Sequence, residues 1–121
     1  MREKISPNFY REEFECKCEC GFDTVDVILL QVLEDIRGYF GEPLSINSAC
    51  RCDSHNESVG GSKTSQHLLG KAADITMKNV TPLRLSQYID AKYPETLGLG
   101  VYDSFVHVDS RIRKARWDKT S

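Results

Sequence analysis

The sequence predicts an α+β domain, with helices packed on one side of a small antiparallel sheet. Three observations carry that prediction. A wide apolar stripe runs at helical spacing through residues 24–40. Short apolar runs at 44–47, 72–76, 97–102 and 105–109 have the length and alternation of strands. Gly, Pro and Asp punctuate the chain between these runs and stop one from continuing into the next.

Residues 1–22 show no sustained period and read as an irregular segment, with Phe9, Tyr10 and Phe14 as its anchors onto the core. Asp23 or Thr24 offers a side-chain oxygen for a helix N-cap. Leu29, Leu33, Ile36 and Phe40 then share one helical face, widened by Val25, Val32 and Tyr39. Gln31, Glu34, Asp35 and Arg37 take the other side. Gly41 suits the left-handed residue that closes a helix, and Pro43 prevents continuation. A strand follows at 44–47. Residues 53–59 read as a helical turn opened by Asp53, and 59–65, VGGSKTS, as a loop. A second strand is predicted at 72–76. Thr81-Pro82 is a cap followed by proline in the first turn, so a helix starts there. Leu85, Tyr88, Ile89 and Tyr93 give it a buried side, and it ends before Pro94. Residues 97–102 and 105–109 flank Asp103-Ser104 as an antiparallel hairpin. Arg111, Arg113, Lys114, Arg116 and Lys119 make 111–121 a basic tail. A solvated end is its plain reading; contact with an anionic polymer is the sharper one.

With 121 residues, the whole of 1–121 reads as a single domain. A net charge of −2 argues against a dedicated nucleic-acid binder. No apolar run approaches the ~20 residues that span a bilayer. The opening MREKISPNFYREEF is charged and has no apolar core of a signal peptide. The chain therefore reads as made in the cytoplasm, a monomer, acting outside a cell only after release or export.

The stretch SQHLLGKAADI sets His67 and Asp74 at a separation that fits neither one helix face nor one short strand. It fits a loop that feeds a strand, with both side chains returning to one point. His107 lies on the last strand and shares a face with Phe105 and Asp109. If the strands are neighbours, His107 and Asp74 meet, and His67 arrives from the loop. Two imidazoles and one carboxylate leave a fourth position open, the pattern of a catalytic zinc site rather than a closed structural one. Gly70, Ala72 and Ala73 let backbone pack closely around such a centre. On spacing alone, a loop histidine and a capping aspartate explain the same residues. His55, in the short helical turn, reads as structural.

The run Ser65-Gln66-His67-Leu68-Leu69-Gly70-Lys71-Ala72-Ala73-Asp74 resembles the SxHxxGxAxD signature of the M15 zinc metallopeptidases, the D-Ala-D-Ala carboxypeptidase and L-Ala-D-Glu endopeptidase group. The stretch from Asn47 to Cys52, His55-Asn56, Val59-Gly60-Gly61, Gly100-Val101-Tyr102, the run from Phe105 to Asp109, and Arg116-Trp117 are similar to the subgroup of that family with short domains. The resemblance implies a fold of the hedgehog/D-Ala-D-Ala peptidase type. It implies Zn2+ held by His67, Asp74 and His107, and a substrate among peptidoglycan stem peptides. It also suits a phage lysis enzyme. A carboxylate must take the proton of the attacking water and pass it to the leaving amine. Related enzymes often place that acid three residues before the last histidine ligand; here Ser104 stands there. Asp109 and Asp103 are the two candidates, Asp109 preferred, with orientation of His107 as its other role. Arg51 matches a clamp for a substrate carboxylate or carbonyl, and Ser65 and Gln66 line the cleft or hold the loop. A catalytically silent zinc domain that binds wall peptide or a protein partner is the alternative.

Cys16, Cys18, Cys20, Cys50 and Cys52 admit a second, structural zinc site, though C-x-C is a poor knuckle. A disulfide that pins the N-terminal segment beside Arg51, or free buried thiols, are equally open.

Overall fold

A computed structural model describes residues 4–16, 25–48 and 70–120. The first helix, α1 (Val27–Phe40), is capped by Asp26, whose side chain accepts the Leu29 N–H at 3.2 Å. It starts later than predicted, with Asp26 as the cap; Asp23 and Thr24 lie outside the described residues. Gly41 closes it at φ 67°, its N–H bonded to the Arg37 carbonyl. Leu29, Val32, Leu33 and Ile36 are buried as the stripe requires. Tyr39 is not part of that stripe: it is 60% exposed and stacks on Tyr88 with ring centroids 4.0 Å apart. The second helix, α2 (Pro82–Lys92), is capped by the Thr81 hydroxyl, which accepts the Arg84 N–H. Leu85 and Ile89 are its buried apolar residues. Its Tyr88 hydroxyl and the Tyr93 hydroxyl just beyond its end both donate to Asp35 on α1, at 3.0 and 3.2 Å. Burial and that carboxylate push both hydroxyls up to about 12. The pair fastens one helix to the other.

The N-terminal segment is more ordered than its composition suggests. β1 (Lys4–Ser6) and β2 (Phe9–Tyr10) form a small antiparallel hairpin, followed by a 3-10 turn at Arg11–Phe14. Phe9 and Phe14 are buried with rings edge to face at 6.0 Å, as their anchoring role requires. Glu34 of α1 accepts from Ser6 Oγ, Asn8 Nδ2 and the Asn8 N–H, which clips the hairpin to the helix.

The main sheet contains β3 (Leu44–Ser48), β4 (Ala72–Met77), β5 (Gly98–Val101), β6 (Val106–Asp109) and β7 (Ala115–Asp118). Its order is β3-β4-β6-β5-β7. Two sequence expectations are corrected here. The sheet is not wholly antiparallel, because β7 pairs parallel with β5. The 111–121 segment is not a free basic tail, because β7 occupies it. The short 110–114 connection suffices because β7 runs opposite to β6. It leaves and re-enters at the same end of the sheet and crosses only β5, about two strand spacings. Arg116 fixes β7 to the end of α2: its guanidinium donates to the carbonyls of Tyr93, Thr96 and Leu97 and to Asp90.

The pleat divides the sheet's residues between two faces. Ala73, Ile75, Leu99, Val106 and Val108 join the core with Leu33, Ile36, Leu85 and Ile89. The opposite face receives Asp74, His107, Asp109 and Trp117. The register sets Asp74 opposite His107, Ala72 opposite Asp109, Gly100 opposite His107 and Gly98 opposite Asp109.

Candidate metal centre

His107 sits in the middle of that second face, between two carboxylates. Its Nδ1 lies 3.0 Å from Asp74 Oδ1 and its Nε2 lies 2.8 Å from Asp109 Oδ2. The cross-strand register forces the first contact. The second joins residues i and i+2 on one strand face. Asp109 is fully buried. Arg111 grips it with a two-point fork, Nε to Oδ1 at 2.8 Å and Nη2 to Oδ2 at 2.7 Å. The N–H groups of Gly98 and Arg111 also donate to Oδ1. Gly98 is required: a Cβ there would collide with the Asp109 carboxylate.

These contacts set the charge states. Burial raises the Asp109 pKa, but the hydrogen bonds from His107 and Arg111 outweigh it and hold the carboxyl far below the usual range. Burial also opposes a charged His107, yet the Asp109 and Asp74 hydrogen bonds raise its pKa above the ordinary value. The Asp109 hydrogen bond raises that of Arg111.

An aromatic wall stands beside the imidazole. The rings of Trp117 and His107 have centroids 5.1 Å apart. The Trp117 indole packs over Gly100, where a Cβ would overlap it. Its Nε1–H donates to the Tyr102 hydroxyl at 2.9 Å, and Tyr102 stacks on Phe105 at 4.3 Å. The Arg111 guanidinium lies 5.6 Å from the Trp117 ring centroid. A groove of about 450 Å³ between α2 and the β5–β7 edge shares only Trp117 with this centre.

The structure thus brings together Asp74, His107 and Asp109 of the residues singled out from sequence. Asp103 is exposed on the β5–β6 turn. Arg51, His55, Ser65, Gln66 and His67 lie outside the described residues, as do Cys18, Cys20, Cys50 and Cys52; Cys16 is buried. Sequence reasoning missed Arg111 and Gly98 as parts of the centre. It read Gly100, Tyr102 and Trp117 only through the resemblance. Gly98-x-Gly100 in a strand was the available signal, since glycines two apart clear space on one face.

A family model described as Peptidase M15 matches residues 7–109, most of the chain. The chain belongs to the peptidase M15 family. No curated protein matches it. M15 peptidases are generally zinc-dependent. Whether the residues present fit that metal is decided by the donors. Two donors around a tetrahedral zinc stand about 3.3 Å apart, given arms of about 2.0–2.1 Å. The Asp74 and His107 atoms are 3.0 Å apart. With Asp109 accepting the Nε2–H, the Nδ1 lone pair and the Asp74 oxygen face each other, and a cation or a proton must lie between them. The described residues of this M15 peptidase therefore contribute two suitable donors, and among the described residues no group of three or more His, Cys, Asp or Glu side chains is arranged to hold a metal ion.

Proposed function

We propose that the chain is a zinc-dependent peptidase that cleaves peptidoglycan stem peptides, with His67, Asp74 and His107 as metal ligands. The observation that carries this reading is the convergence of His107 Nδ1 and Asp74 Oδ1 on the face of the sheet away from the core. Zinc bound there supplies a Lewis acid and an activated water.

The rest of the chemistry falls to the chain's own groups. Asp109 orients His107. Its oxygens accept from His107, Gly98 and Arg111, which fixes the tautomer that leaves Nδ1 bare. That burial also argues against the base role first preferred for it. A base must reach the attacking water, and Asp109 is closed in on its side of the ring. Asp103, on the turn four residues before His107, is the better base of the two. It takes the water's proton and returns it to the leaving amine. Arg51 clamps a substrate carboxylate or carbonyl with a fork of donors. Ser65 and Gln66 are assigned to substrate binding with it.

The test has two parts. Elemental analysis of His107→Ala and Asp74→Ala should show loss of a single zinc; full occupancy in either sinks the ligand assignment. Mass spectrometry of purified muropeptides incubated with the wild type should show a cut stem peptide. On that substrate Asp103→Asn should lower kcat by ~10²–10⁴ with zinc retained. Asp109→Asn should instead weaken zinc affinity by about 10–100-fold. The reverse pattern returns the base to Asp109. Ser104, where related enzymes often carry an acid, favours a second reading, a silent zinc domain that binds wall peptide. Zinc without any cut muropeptide would make it the better one.

A further inference from the structure

We infer that the Tyr102 hydroxyl donates a hydrogen bond to the scissile carbonyl oxygen as negative charge develops on it, with Trp117 as the residue that positions it. This rests on the peptidase reading above. Gly100 lies opposite His107 in the ladder, and the absence of its side chain lets the Trp117 indole settle on the face His107 occupies. The Trp117 ring packs beside the imidazole at 5.1 Å between centroids, and its Nε1–H ends on the Tyr102 oxygen at 2.9 Å. The hydroxyl is thus one hydrogen bond away from a ring that borders the candidate ligand.

The direction of that bond matters. An indole N–H can only donate, so the phenol oxygen is the acceptor. A phenol that accepts still has its own hydrogen to give. Trp117 fixes where the oxygen sits and leaves the O–H group available. Phe105, stacked on Tyr102 at 4.3 Å and 10° between planes, holds the ring in place. A half-buried, doubly braced O–H, held by a ring that packs against His107, is a preorganised donor, and it costs no reorganisation when the charge appears. No proton is transferred: it stays on Tyr102 and the hydrogen bond strengthens.

The experiment compares the zinc-loaded wild type with Tyr102→Phe and Trp117→Phe on the muropeptide that the wild type cuts. Tyr102→Phe should lose about 10²-fold in kcat, the usual worth of one such donor. KM should stay within about twofold, and zinc content and Tm should be unchanged. Trp117→Phe keeps the hydroxyl without its anchor and should lose less. Trp117 is the sole tryptophan, so its fluorescence reports binding of the same muropeptide to zinc-free protein. The Kd measured so should be equal for the wild type and Tyr102→Phe. An unchanged kcat in Tyr102→Phe overturns the inference alone. So does a loss that appears equally in the zinc-free Kd, which would make the hydroxyl a ground-state contact. So does a loss accompanied by lower Tm or zinc content. A wild type that holds zinc and cuts nothing overturns the peptidase reading, and this inference with it.

Discussion

Replacing Arg111 by methionine removes the only side-chain cation, among the described residues, bonded to the buried Asp109 carboxylate, apart from His107 itself. Two charge-assisted hydrogen bonds vanish, at 2.8 and 2.7 Å. At about 1.5–3 kcal/mol each they sum to roughly 3–6 kcal/mol. That agrees with the ~3–5 kcal/mol lost when one partner of a buried pair is deleted. The Arg111 side chain is 34% exposed, so water enters the gap and recovers part of the loss. A cost of about 2–4 kcal/mol is expected. At about 4 °C per kcal/mol for a chain this size, Tm falls by about 8–16 °C. The melt is run on zinc-free protein, so that a change in metal affinity cannot contribute. Arg111→Lys should recover the charge but not the fork, and fall between. The double variant Asp109→Asn, Arg111→Met should cost less than the two single losses added, because no uncompensated charge is left. A Tm within about 2 °C of the wild type for Arg111→Met would refute this account of Asp109.

Gly98→Ala drives a methyl group into the Asp109 carboxylate. It should cost about 1–3 kcal/mol in urea unfolding and weaken zinc binding in a chelator competition; unchanged affinity would mean that Asp109 does not govern His107. The Glu34 clip gives a pH signature. Burial raises its pKa, but the hydrogen bonds from Ser6 and Asn8 bring it below 4.5. A depressed carboxyl contributes stability above its unfolded value and loses it as pH falls through the folded value. The gap in urea midpoint between wild type and Glu34→Gln should be full at about pH 6 and shrink below about pH 4.5; a gap that grows on acidification contradicts the sign.

The parts of the fold legible in the sequence are those where one local rule decides. Thr81-Pro82 and Gly41 punctuate helices by backbone chemistry alone, and both stand where the sequence places them. Leu29, Leu33 and Ile36 repeat on one face because a core requires it. β7 was not legible: Ala-Arg-Trp-Asp has no clean alternation, and its pairing with β5 is a tertiary event. The same holds for Arg111 and Arg116. Both read as tail charge in sequence, and each is consumed by a partner far along the chain or buried beside it. At the centre, Asp74 and His107 were found by type and strand parity, which the ladder register reproduces. The role of Asp109 stayed open between base and orienter of His107, since parity sets the face a side chain shares and not how many donors crowd it.

The family match ends at Asp109, yet Arg111, which grips that aspartate with a two-point fork, comes after it in the chain. Anyone trimming this protein for expression, or fusing a reporter behind it, has to respect a later boundary. A cut after Ser110 would keep every proposed ligand and discard Arg111, Arg116 and Trp117. The product would retain the matched segment by which the family is recognised and lose the groups that pack around Asp109 and His107. Attachment beyond Thr120 leaves β7 and the Lys119 N–H, bonded to the Val101 carbonyl at 2.8 Å, intact.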